Sequence, residues 1–212
     1  MSGAPLDARE RRELCDLLLV RGPDAPTLCE GWTTLDLAAH LVLRERDPRA
    51  VVAIAGGARA ARFGESLMDR YRAMGYEALV ARLRAGPPLV PWRLPGLRGL
   101  LNLNEWFVHH EDVRRADGFG PRTDRPDLDE ALWRLLRRGA RLWLRNVKGA
   151  GVVLEAPGWG ELPARRPSPV VRLWGEPQEL VLYLNGRRSA AAVELSGPLD
   201  ARAALETARL GF

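Results

Sequence analysis

Two of the three histidines in the 212-residue chain stand side by side at His109 and His110, and Glu105 lies four residues before the first. Residues i and i+4 share a helix face about one turn apart, so Glu105 and His109 can address one ligand. The third histidine, His40, lies in a separate apolar stretch, Asp36-Leu37-Ala38-Ala39-His40-Leu41. Two imidazoles and a carboxylate make three ligands with positions left over. That is the ligand count of catalytic zinc, not of a closed structural zinc site. Other divalent ions accept the same donors. The competing reading is a core histidine, His109, bonded to Glu105 with no ion between them, since short motifs of this kind recur by chance. His110 points about 100° away from His109, so it reads as a supporting or exposed residue ahead of a ligand. Asp112, at i+3 from His109, reads as the salt-bridge partner of a nearby arginine or as an extra ligand.

These residues need helices to position them. Leu6 to Val20 reads as a first helix, with Leu14, Cys15, Leu17 and Leu18 as an apolar stripe and Arg and Glu opposite. A turn-rich loop follows, from Pro23 to Gly31. Thr33 or Thr34 caps the second helix; with Thr33 as cap, Asp36 takes the third position of a capping box. This helix carries His40 and runs to about Arg46, ahead of Pro48. Ala50 to Ala61 reads as weak helix or loop, and Glu65 to Arg84 as helix with a break at Gly75. Gly86 to Pro95 holds four prolines, which rules out regular helix. Gly96 to Ala116 carries Glu105 and His109. Its apolar residues lie almost all round, so the helix is central. An ionised Glu105 without a partner there would be costly; a metal would remove that cost.

Asp127 to Val147 is strongly amphipathic, with Leu128, Leu132, Leu135, Leu136, Leu142 and Trp143 inward. Beyond Gly149 the pattern changes. Residues 151–156, 170–174 and 191–195 read as strands. A short helix opens at Pro177, and another covers 200–208. The expected fold class is α+β: a helical metal-binding domain over residues 1–148 and a small α+β domain over 149–212.

Composition narrows the function. Hydrophobic residues make up 46% of the chain and charged ones 28%, as in a globular protein. The net charge of +5 does not form a phosphate-tracking stripe, because the arginines alternate with carboxylates, as in Arg9, Arg11 and Arg12 with Asp7, Glu10 and Glu13. Nucleic acid is therefore not an expected partner. No apolar run is long enough to span a membrane, and no signal-like segment opens the chain. The cytoplasm is the expected location, where Cys15 and Cys29 would be reduced. Cys29 reads as a small buried side chain or as a thiol-exchange residue, Trp32 as core, and Arg114-Arg115 as a solvated helix end. No phosphate loop, dinucleotide fingerprint or serine-nucleophile motif is present.

The stretch Thr27-Leu28-Cys29-Glu30-Gly31-Trp32-Thr33, followed by Asp36-Leu37-Ala38-Ala39-His40-Leu41, resembles the N-terminal metal-binding domain of mycothiol-dependent maleylpyruvate isomerases. That domain belongs to the wider DinB-like group of four-helix metalloproteins. Glu105-x-x-x-His109 resembles the second half of the family's metal site, and the α+β tail resembles its C-terminal domain. The phrase from Phe107 to Arg115 is similar to a subgroup described only as metal-binding. The resemblance implies a divalent ion, usually zinc, held by His40, Glu105 and His109 with water. It also implies a low-molecular-weight thiol, mycothiol, as cosubstrate. A coordinated thiol loses its proton, and the thiolate is the nucleophile that attacks an electrophilic carbon. Arginines near the pocket would hold substrate carboxylates bidentately. The expected function is thus a metal-dependent thiol S-transferase or isomerase acting on a small electrophile, as a monomer or homodimer. The rival is a non-catalytic metal-binding or sensing module that engages a partner.

Overall fold

The computed structural model describes residues 5–49, 57–87, 97–166 and 168–210. The chain divides into two compact units, residues 1–119 and 120–212. The fold is α+β, as expected.

The first unit is helical. α1 spans Leu6–Arg21, α2 Thr34–Arg46, α3 Gly57–Arg72, α4 Tyr76–Ala85 and α5 Leu97–Ala116. The start of α2 follows its local sequence. The Thr33 side chain accepts from the Asp36 backbone, and the Asp36 carboxylate accepts from the Thr33 backbone, a complete capping box. The expected break at Gly75 is present: its φ of 83° lies in the left-handed region that a glycine occupies without a Cβ clash. It separates α3 from α4. The residues 50–56 and 88–95 of the expected weak and proline-rich stretches lie outside the described residues, whereas 57–61 belongs to α3.

α1 packs along α5, and α2 packs against α3 and α4. Leu14, Leu18, Leu37, Leu41, Leu79, Leu83 and Trp106 are fully buried among them. Each buried aliphatic side chain contributes about 1.5–3 kcal/mol of transfer free energy, which holds α2 and α5 at fixed separation. The polar face of α1 does not look outward as expected. Glu10 and Arg11 are buried; Arg11 pairs with Glu45 and stacks 4.5 Å over the Trp106 ring. Amphipathicity read from one helix misassigned this face because its charged partners come from α2 and α5.

The second unit holds α6 (Pro126–Trp143), β1 (Gly151–Ala156), β2 (Gly160–Arg165), β3 (Val170–Trp174), α7 (Pro177–Leu184), β4 (Glu194–Ser196) and α8 (Leu199–Thr207). The sheet order is β2-β1-β3-β4. β1 is antiparallel to β2 and parallel to β3, and β3 is antiparallel to β4. β2 had no expected counterpart. Pro163 within it argues against a strand, yet β2 lies at the sheet edge, where proline is tolerated. The last strand falls at 194–196 rather than 191–195. α6 ends at Trp143, and Leu142 is exposed rather than inward. α6 packs on α7 and β2, so the compact units divide after residue 119, ahead of the boundary expected at 148. Among the described residues no helix is long and apolar enough to cross a membrane.

Candidate metal centre

α2 and α5 bring the three expected residues together. His40 Nε2 lies 3.5 Å from Glu105 Oε1, and His109 Nε2 lies 3.2 Å from the same oxygen. The two imidazole rings meet edge to face, with centroids 5.3 Å apart. One ligand atom from each of the three residues falls within 4.8 Å of the others. At metal–ligand bonds of about 2.0–2.1 Å, donors in a tetrahedral shell sit about 3.3 Å apart. The two spacings to Glu105 bracket that value, so the donor types and these two distances suit a divalent ion as well as a direct His109–Glu105 hydrogen bond.

His109 is held from its other side. Its Nδ1 lies 2.9 Å from Asp112 Oδ2, and Asp112 is completely buried. A carboxylate on the far nitrogen of a ligating histidine fixes the tautomer and presents the near nitrogen. Asp112 had been expected to meet an arginine or the ion itself; in the fold it accepts from His109 and from Cys29 Sγ at 3.2 Å. Asp112 is also the point where the loop before α2 is fastened, since Leu28 N–H donates to its backbone carbonyl at 3.0 Å. Within that loop Gly31, at φ 75°, permits the turn in which Trp32 N–H donates to Cys29 C=O at 2.9 Å. Trp32 is half-buried rather than core and lies 5.1 Å from the His40 ring.

Electrostatics follow from this packing. Burial alone would raise the Glu105 pKa. Hydrogen bonds from His109 and His40, with the charges of His109 and Arg44, outweigh it and hold the carboxyl well below its ordinary value. Burial would lower His109, but Asp112, Cys29 and Glu105 hold its proton well above the ordinary imidazole range. His40 is lowered by burial and by the nearby positive charges, against the opposing pull of Glu105. A neutral His40 and an ionised Glu105 are already in ligand form; His109 must release a proton to ligate.

The other candidates fall elsewhere. His110 turns from the centre and is buried, with Nδ1 3.0 Å from Glu10 Oε2 on α1. Two further groupings could hold an ion: Cys29, His109 and Asp112, which shares His109 with the centre, and Glu10, Glu13 and His110, beside Arg9, whose Nε is 4.0 Å from Glu13. In the latter, His110 is already engaged by the fully buried Glu10 carboxylate. Arg114 and Arg115 are not a solvated end: both clamp the fully buried Glu111 at 2.7 Å. Glu30 is exposed. Arg44, not among the expected residues, also reaches the centre: its Nε lies 3.3 Å from Glu105 Oε1. The signal was present, since residue 44 is four after His40 and shares its helix face.

Residues 7–98 match the family model of the mycothiol maleylpyruvate isomerase N-terminal domain. Two solved structures are similar over 90% of this chain and 90% of theirs, at 21% identity and a TM-score of 0.54. They are the mycothiol-dependent maleylpyruvate isomerase and a point mutant of that enzyme. No curated protein sequence matches significantly. Over residues 7–98 the chain is thus similar to the mycothiol maleylpyruvate isomerase N-terminal domain, and its fold is similar to that of the mycothiol-dependent maleylpyruvate isomerase.

Proposed function

We propose that this protein is a divalent-metal enzyme of the thiol-dependent isomerase or transferase kind, with His40, Glu105 and His109 as the metal ligands. Zinc is the first candidate ion, and mycothiol or a related low-molecular-weight thiol is the cosubstrate. The observation that carries the reading is the convergence of both Nε2 atoms on Glu105 Oε1, at 3.5 and 3.2 Å, from two helices far apart in sequence. The same relation to thiol-dependent enzymes, in the N-terminal domain and in the fold, supports the reaction class.

When bound, the ion would lower the pKa of a thiol at its open position, so that the nucleophile is a thiolate at neutral pH. The chain's own residues prepare that position. Asp112 accepts the Nδ1 proton of His109 and so turns the Nε2 lone pair toward Glu105 and His40. Trp32 lies against the His40 ring and limits its rotation. His40, Glu105 and Arg44 are each about a quarter exposed, at 25, 22 and 26% of the side chain, whereas His109 is only 10% exposed. The centre is therefore closed at His109 and open on the side of the other three.

The test is metal analysis of the purified protein, followed by turnover. About one zinc per chain is expected, and loss of it in the His40→Ala/His109→Ala double variant. Mycothiol with a panel of electrophiles, maleylpyruvate among them, should then give thiol-dependent product. A protein that takes up no ion contradicts the metal reading. One that holds the ion but turns over no pair favours the non-catalytic module.

A further inference from the structure

We infer that Arg44 is the specificity residue of this centre: it holds a carboxylate of the electrophilic substrate beside the open metal positions. The inference rests on the metal site proposed above and names the chemistry that the site selects. Three observations lead to it.

First, Arg44 is placed by the same helix as a metal ligand. It follows His40 by one turn of α2, and its Nε lies 3.3 Å from the oxygen on which both imidazoles converge. The fixed fork of the guanidinium keeps both terminal nitrogens within about 6 Å of that oxygen. A group bound next to the ion is within their reach.

Second, its donors are uncommitted, unlike those of its neighbours. Arg72 is shared among Asp36, Glu65 and Asp69, each at 2.7 Å. Arg46 donates to the carbonyls of Arg82 and Gly86. Arg11 is engaged by Glu45. Arg44 has Glu105 as its ion-pair partner among the described residues, through Nε alone. The two terminal nitrogens carry most of the donors of a bidentate fork, and a carboxylate is the planar acceptor that fits it.

Third, Arg44 stands on the open side. It, His40 and Glu105 share partial exposure, while His109 and Asp112 close the opposite side. A substrate that enters from this side meets the guanidinium. Glu105 engages Nε alone, so the remaining guanidinium donors suit an anion that arrives with the substrate.

The test uses the full-length zinc-loaded protein and succinate as the probe, with binding measured by calorimetry. Wild type, Arg44→Gln, Arg44→Lys and a surface control, Arg12→Gln, are compared, each with its zinc content and thermal midpoint. Cobalt replaces zinc in a parallel set, so that the visible spectrum shows whether the carboxylate arrives at the ion. Succinate should bind wild type and Arg12→Gln alike. Arg44→Gln should weaken it about ten- to a hundredfold, as expected for a lost charged hydrogen-bonding group, with zinc content unchanged. Arg44→Lys keeps the charge but not the fork, and should recover only part of the binding. Should Arg44→Gln fail to fold, the lysine variant still discriminates. Succinate that ignores wild type, or binds both Arg44 variants as tightly as wild type, overturns the inference and leaves the metal site standing. A protein that takes up no zinc overturns both.

Discussion

Replacing Asp112 with asparagine tests whether the centre is built from more than its three ligands. The carboxylate is fully buried and receives His109 Nδ1 at 2.9 Å and Cys29 Sγ at 3.2 Å. Asparagine has the same shape, so packing is preserved and the charge alone is removed. Loss of such a supporting contact lowers metal affinity about 10–100-fold, or about 1.4–2.7 kcal/mol. Asparagine should fall at the low end. Its amide oxygen still accepts from Nδ1, and a neutral hydrogen bond retains about half the strength of a charge-assisted one. Asp112→Ala should reach the high end, because it strands a buried Nδ1–H with no acceptor, at about 1–3 kcal/mol. The assay is zinc competition against a chromophoric chelator at neutral pH, with Glu105→Gln as the ligand-loss reference. Undiminished affinity in Asp112→Ala would refute the supporting role. A loss equal to that of Glu105→Gln would make Asp112 a ligand instead.

Other consequences are equally open to measurement. In chelator-treated protein, the raised pKa of His109 means that the fold binds this proton more tightly than the unfolded chain. That stabilisation is complete below the ordinary value of 6.5 and is lost as pH rises through the folded pKa. The stability gap between wild type and His109→Gln in urea unfolding should therefore narrow from pH 6 to pH 9; a constant gap would contradict it. Glu105 behaves in the opposite sense: its lowered pKa contributes above the ordinary 4.5 and fades in acid. Thr33→Ala removes the capping box of α2 and should cost about 1 kcal/mol, read as a lower denaturant midpoint. Gly75→Ala forces a Cβ into a left-handed conformation and should cost about 1–2 kcal/mol; an unchanged midpoint would mean that the α3–α4 junction relaxes freely.

Much of the centre was legible in the residues because its signals are local. Glu105 and His109 are one turn apart on a helix whose existence follows from its apolar periodicity. Thr33 and Asp36 announce the start of the helix that carries His40, and the cap is present in both directions. The break at Gly75 follows from glycine's access to positive φ. These features depend on backbone conformation and on neighbours within four residues, which the order of amino acids determines directly.

The fold alone decided the rest, since the partners are distant in sequence. Nothing local says that Asp112 faces a thiol 83 residues away, or that His110 meets Glu10 a hundred residues before it. The charged face of α1 looked solvated because Arg11 finds Glu45 and the Trp106 ring only after α1 packs on α5. Arg114 and Arg115 looked exposed because a buried Glu111 beside them had no visible reason to be buried. The β2 strand stayed hidden because proline is excluded from strand interiors but not from a sheet edge, and edge position is a property of the assembled sheet. Sequence determined which side chains share a helix face. Packing determined which faces meet, and hence that two imidazoles, a carboxylate and a half-committed guanidinium share one point, because burial is decided by the sum of distant contacts rather than by any one segment.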